Sequence, residues 1–340
     1  MSKLKWILIA IGIILVMSFY PFLKASYVGS VRPGALVTLT IPDNTDVSGV
    51  IDRLADTKLI ASKNGYRWYA RLDERARRPV SGVYHLSSGL SYRTLVRVLA
   101  AGPIREEAQL TIIEGWTVDQ EAELIAKQGI SSTRIKDEIG KSVDKAPFAL
   151  HWRGTFSFLR NLSANRSLEG YLFPDTYRVW KDALPEALIE KQLQEFNDRF
   201  GKQTVTKASA PLTTLDGVVI LASIVEKEVK TDVDRKIVAG IFLNRLNIKM
   251  ALQSDATLTY AIGAGSRATT EELASKSPYN TYKNRDLPPG PICNPSASSI
   301  NAVLHPTETD YIYFLTDKSG KVLYAKTFEQ HQKNRQQAGY

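Results

Sequence analysis

Residues Trp6 to Leu23 form an uncharged run of 18 residues, with Lys3 and Lys5 before it and Lys24 after it. A run of that length and hydropathy has just the reach of a helix crossing the hydrocarbon core of a bilayer. The sequence therefore predicts a short cytoplasmic N-terminus (1–5), one transmembrane helix (6–23) and a remainder outside the cytoplasm. The two leading lysines set this orientation, although Lys24 and Arg32 weaken the charge contrast. A cleaved signal peptide is the competing reading, since the aliphatic part, Ile7 to Val16, is short and Ala25-Ser26 offers a cut; no convincing A-x-A site precedes it. The residues after this run must fold in water. At 44% hydrophobic and 23% charged residues, the 340-residue chain has globular composition and the length for more than one domain.

The net charge is +9, and Lys3, Lys5 and Lys24 account for three of the nine, leaving an excess of six for the rest. So mild a basicity suits anionic lipid or an acidic polymer and is too dilute to imply nucleic acid. With Cys293 as the single cysteine, no intramolecular disulfide forms, and no Cys/His spacing fits zinc. Phosphate-loop, serine-hydrolase and HExxH motifs are absent from the sequence, so neither metal nor cofactor is implied.

Three sections succeed the apolar run. From 34 to 104 the pattern is that of a small α+β module. ALVTLTI alternates like a strand, Val47, Val50, Ile51 and Leu54 have helical spacing, a second helical stretch runs from Lys63 to Arg77, and SGVYHLSSG and SYRTLVRVLAAG read as strand-turn and helix. The arginines Arg67, Arg71, Arg75, Arg77 and Arg78, interleaved with Tyr66, Trp68 and Tyr69, read as a solvated face or as a polymer-binding patch diluted by Asp73 and Glu74. From 108 to 166, a strand (AQLTIIEGW) and a helix capped at Thr117 and closed at Gly129 lead into low-signal sequence, read as a connecting lobe. The third section, 167–335, carries the chemistry.

Leu212 to Val229 has helical length, and Leu215, Val218, Val219, Ala222, Val225 and Val229 fall within one stripe at 100° per residue. Glu226 lies inside that stripe and Glu228 lies 200° further round. A carboxyl pressed among valines loses hydration, which favours its protonated form, as a general acid requires. A buried ion pair of Glu226 with Arg235 or Arg245 is the alternative. Around this helix, EGYLFPDTY (Glu169 to Tyr177), MALQSD, SPYNTY, LPPGPICNP and YIYFL offer aromatic faces and amides of the kinds that stack on and hydrogen-bond to sugars. Tyr311, Tyr313 and Phe314 read as a core strand, while the Pro- and Gly-rich loops suit either anchoring or binding.

In this order, EGYLFPDTY, ASIVEKE, the segment from Arg235 to Leu246, MALQSD, SPYNTY, LPPGPI and YIYF, with Phe328 and His331, resemble the MltG (YceG-like) family of endolytic murein transglycosylases. Cys293 and Ala256 depart from the family pattern. The resemblance implies an α+β protein with a single transmembrane helix, a LysM-like module and a larger mixed α+β catalytic domain. It implies cleavage of the β-1,4 bond between N-acetylmuramic acid and N-acetylglucosamine, leaving a 1,6-anhydromuramoyl end. Peptidoglycan glycan strands are then the substrate, peptidoglycan synthases the partners, and the periplasmic side of the inner membrane the location. The family's catalytic glutamate is placed on Glu226, with Gln253, Asp255, Tyr279, Asn280 and Tyr282 holding the sugar. A hydrolytic muramidase, with Glu169, Asp175 or Asp255 as second acid, and a non-catalytic glycan-binding module are the alternatives.

Overall fold

A computed structural model describes residues 19–28, 35–140, 148–262 and 269–339. The chain divides into two compact units, Met1–Arg105 and Glu106–Tyr340. Among the described residues no helix is long and apolar enough to cross a membrane, and the expected span from Trp6 lies outside them except for its last five residues.

In the first unit, strand β1 (Leu36–Ile41) pairs antiparallel with β2 (Gly82–Ser87), placing Leu39 opposite Tyr84. Helices α1 (Val47–Asp56) and α2 (Lys63–Leu72) connect them, and α3 (Tyr92–Ala101) comes after β2. Each helix starts where an Asp or Ser side chain accepts an otherwise unpaired backbone N–H: Asp46 from Gly49, Ser62 from Gly65 and Ser91 from Thr94. Helix α2 ends at Leu72, earlier than the expected Arg77, because the Asp73 carboxylate accepts from the Arg75 amide and starts a separate 3-10 turn, Glu74–Arg77. Tyr66 and Tyr69 belong to the core, whereas Trp68 is 60% exposed with the Arg71 guanidinium over its ring. The basic-aromatic interleaving is thus mostly a core stripe beside a solvated one. Phe22 and Ala25 pack against this unit's core.

The second unit is a mixed α+β domain. Strand β3 (Glu107–Thr111) pairs antiparallel with β4 (Thr176–Trp180), so the stretch 108–166 shares one core with the residues after it. Helices α4 (Val118–Ala126), α5 (Ser132–Ile139) and α6 (Glu186–Phe200) flank this pair. At the centre lies α7 (Leu215–Glu228), started by the Thr214 side chain and buried continuously from Gly217 to Val225. Helices α8 (Asp232–Asn247), α9 (Asp255–Ile262) and α10 (Ala297–Leu304) pack on it. A hairpin, β5 (Tyr313–Thr316) with β6 (Val322–Ala325), and α11 (Phe328–Gln337) complete the domain.

Two motifs of the sequence serve this core. Asn294, in PICNP, accepts from the amides of Gly170 (2.7 Å) and Leu172 (3.3 Å) and donates to the buried Glu121 (2.7 Å). Gly170 has φ +90°, and a Cβ there would lie 2.4 Å from Pro291 Cγ, so EGYLF and LPPGPI are locked together through a position that admits only glycine.

Burial pushes the Glu121 carboxyl up to about 8, against the hydrogen bonds from Gln192 and Asn294 that favour its charged form. Between pH 4.5 and 8 the folded chain holds a proton that the unfolded chain has released. Stability is therefore expected to fall as pH rises through that window and to level off above it. Thermal unfolding between pH 5 and 8 reads this slope, and Glu121→Gln should flatten it.

Candidate active site

The end of α7 separates the two acids of the EKE sequence. The Glu226 side chain is 7% exposed and turns inward to the start of α10. Its Oε2 accepts from the Ser296 amide (3.0 Å), the Ser296 hydroxyl (2.5 Å) and the Ser299 hydroxyl (2.6 Å), and its Oε1 pairs with Arg235 at 3.2 Å. The ion pair anticipated with Arg235 or Arg245 is made with Arg235. Glu226 therefore joins α7, α8 and α10, and it stands among these partners and outside both arms of the groove described next.

Glu228 instead faces an open groove with two arms, neither of which Glu226 lines. One arm, of about 600 Å³, is lined by Thr117, Asp119, Gln120, Lys227, Thr259 and Tyr260. The other, of about 760 Å³, is lined by Arg245, Gln253, Tyr282, Tyr313, Phe328 and His331. Both include Glu228 and Asp255, so the two arms meet at this pair of carboxyls. Burial raises the Glu228 pKa, and the neighbouring Asp255 charge adds to the shift, against the Ser254 hydrogen bond and the Arg245 charge. Ser254 Oγ donates to Glu228 Oε1 at 2.5 Å, leaving Oε2 as the oxygen for a transferable proton.

The local backbone explains how this corner is held. Gln253 adopts φ +54°, a left-handed conformation unusual for a side-chain-bearing residue. The buried Thr281 fixes the strained turn: its carbonyl accepts from the Gln253 amide (3.0 Å) and its hydroxyl from the Ser254 amide (3.0 Å). Tyr282 then donates to Asp255 Oδ1 at 2.7 Å. Arg245 lies beneath, donating to the carbonyls of Ile312 (2.7 Å) and Leu252 (2.6 Å).

Of the residues singled out in the sequence, Gln253, Asp255 and Tyr282 line the groove with Glu228. Asn280 does not. It is fully buried, donates to the carbonyls of Leu273 (3.0 Å) and Ser275 (2.9 Å) and accepts from the Tyr282 amide (3.0 Å). Its amide folds the loop that carries Tyr282. Asn280→Ala is expected to cost roughly 1–3 kcal/mol by leaving buried backbone groups unpaired, visible as a lowered melting temperature. Tyr279 packs its ring on Tyr260 (5.2 Å between centroids) and lines a different cavity of about 340 Å³, with Arg166, Glu169 and Pro291. Glu169 is buried, accepting from the Val118 amide (3.1 Å) and the Tyr260 hydroxyl (3.1 Å), and Asp175 is exposed outside both arms. Asp255 alone of the three suggested second acids shares the groove with Glu228. Tyr313 and Phe314, expected in a core strand, are half-buried on the groove wall. Arg335 carries no mark in the sequence and Arg245 is marked there only as an ion-pair candidate, because their place on the groove wall depends on which strands and helices meet, which no local spacing records.

The fold and the groove define a two-unit α+β protein with an open cleft floored by carboxyls and walled by aromatic rings and amides. The chain belongs to the YceG-like family, whose profile matches residues 39–337. It is 32% identical over 304 residues to an endolytic murein transglycosylase of Bacillus subtilis (strain 168), covering 87% of this chain and 83% of that protein. It is 33% identical to an endolytic murein transglycosylase of Streptococcus pneumoniae (serotype 2, strain D39), covering 88% of this chain and 57% of that longer protein. A crystal structure of a yceG-like protein from Listeria monocytogenes superimposes with a TM-score of 0.57 at 32% identity, covering 88% of this chain and 99% of that one.

Proposed function

We propose that this chain is an endolytic lytic transglycosylase acting on peptidoglycan, with Glu228 as its acid. The observation that carries the reading is the position of Glu228 where two open arms meet. An enzyme cutting within a strand must hold sugars on both sides of the bond, and a groove open at both ends allows that. The relatives' shared activity supports the same reaction.

The chemistry needs only one protonated carboxyl. Glu228 donates its proton from Oε2 to the glycosidic oxygen as the bond to muramic C1 breaks. The resulting carboxylate takes the proton of the muramic C6 hydroxyl as O6 closes on C1, giving the 1,6-anhydro end and restoring the acid. The attack is intramolecular, so proximity replaces a positioned water and its base. Asp255, oriented by Tyr282, places negative charge where the oxocarbenium-like transition state develops positive charge.

The proximity of Asp255 to Glu228 also favours a second reading, a hydrolytic muramidase with two carboxyls flanking the bond. Mass spectrometry of digested glycan strands decides: an anhydro end is one water lighter than a reducing muramic end. Reducing ends would transfer the activity to hydrolysis. Sacculi bound but left uncut would leave a glycan-binding module.

In this reading Trp6 to Leu23 is the membrane anchor, the first unit is LysM-like and both units lie on the periplasmic face of the inner membrane, where nascent strands leave their synthases. Hydropathy and the flanking lysines support the anchor. Extraction by salt alone, or a mature chain beginning near Ser26, would sink it.

A further inference from the structure

The two arms of the groove differ in charge. The arm on the Thr117 side carries Lys227 and Asp119, one charge of each sign. The other arm carries the charges of Arg245 and Arg335 beyond the carboxyls it shares, and His331, whose pKa burial and these two arginines lower, joins them as an imidazole ring. These groups stand among aromatic rings: His331 stacks on Tyr313 with centroids 5.2 Å apart, Phe328 lies 6.0 Å from Tyr313, and the Arg245 guanidinium lies 5.6 Å from the same ring. Phe328 is 54% exposed, more than a core role explains. Arg335 is exposed in the last turn of α11 and has no ion-pair partner among the described residues, whereas Lys333 is paired with Glu329 at 2.8 Å.

A glycan backbone of alternating N-acetylated sugars presents hydroxyls, acetamides and apolar ring faces, all neutral. Its ionisable groups belong to the peptide built on the lactyl substituent of the muramic residue, which carries carboxylates; the lactyl carboxyl itself ionises only where the peptide is absent. Cations set beside sugar-stacking rings therefore have one class of target on this polymer. Asp255, which both arms share, repels an anion, and Arg335, which lines only this arm, attracts it. The field thus draws a stem toward Arg335 and away from the carboxyls shared by the two arms.

We infer that the arm lined by Tyr313, Phe328, His331 and Arg335 holds the carboxylate-bearing peptide stem of a muramic residue, so that the groove selects peptide-bearing strands over bare glycan. This rests on the proposed action on peptidoglycan and adds a specificity to it.

The test compares the purified full-length chain on uncrosslinked peptide-bearing strands and on the same strands stripped of stems by an amidase, with the lactyl carboxylates this frees capped as neutral amides. The wild type should show a kcat/KM about tenfold higher on peptide-bearing strands, the worth of one charge-assisted contact. Arg335→Gln should collapse that ratio toward one, and Arg335→Lys, which keeps the charge, should retain most of it. Equal rates of the wild type on both strands would overturn the inference. So would an Arg335→Gln variant that slows both substrates by the same factor with the ratio preserved. Failure of the wild type to cut either strand would instead overturn the proposed function, and this inference would fall with it.

Discussion

Glu228→Gln is expected to lower glycan cleavage by about 10²- to 10⁴-fold while the melting temperature stays close to that of the wild type. Glutamine keeps the size of the side chain and an oxygen to accept from Ser254, but it has no proton to give to the leaving oxygen. The released anhydro ends, counted by mass spectrometry under single-turnover conditions, measure the chemical step without contribution from product release. Ser254→Ala should act in the same direction and more weakly, since it leaves the acid in place and removes only the hydrogen bond that assigns Oε1 as the acceptor. If Glu228→Gln retains wild-type rates and a folded Glu226→Gln loses them, the acid is Glu226 and Glu228 has no part in the chemistry.

Glu226→Ala is expected to damage the fold rather than the chemistry. The substitution removes the acceptor of three donors at the start of α10 and leaves the Arg235 guanidinium, 12% exposed, with the exposed Asp232 as its remaining ion-pair partner among the described residues. Breaking one side of a buried pair costs about 3 kcal/mol or more, which in a domain of this size lowers the melting temperature by roughly 6–12 °C. Glu226→Gln, which preserves shape and one acceptor, should lose less stability and keep most of its activity per folded molecule. A drop in rate without a drop in melting temperature would contradict the assignment of Glu226 to the scaffold.

The contrast between these two glutamates marks where sequence reasoning stops. A helical wheel locates the buried side of a helix that has an exposed one. Helix α7 is buried from Gly217 to Val225 on every face, so its apolar stripe does not say which direction is interior and which leads to a cleft. Both glutamates lie beyond that stretch, in the last turn of the helix. What distinguishes them is the partner each meets: the serines of α10, some 70 residues on, or Ser254, 26 residues on. The loop from Ser277 behaves in the same way. Its aromatic and amide content invites a reading as a sugar-binding wall, and Tyr282 fits it, but Asn280 points into the protein to hold its own loop closed.

The sequence by itself determined the local elements. The helix start at Thr117 is legible because a cap satisfies amides only two or three residues away, and the starts that the structure places at Asp46, Ser62, Ser91 and Thr214 obey the same local rule. The apolar N-terminal run and the ordered motifs that mark the YceG-like family are equally local, being properties of consecutive residues. Only the tertiary structure decided which carboxyl faces the groove, which loop residues line it and which anchor, and that Arg245, Tyr313 and Arg335 share one wall. Each of those facts depends on groups brought together from distant parts of the chain, where burial and the field of neighbouring charges are set by packing and leave no periodic trace in the sequence.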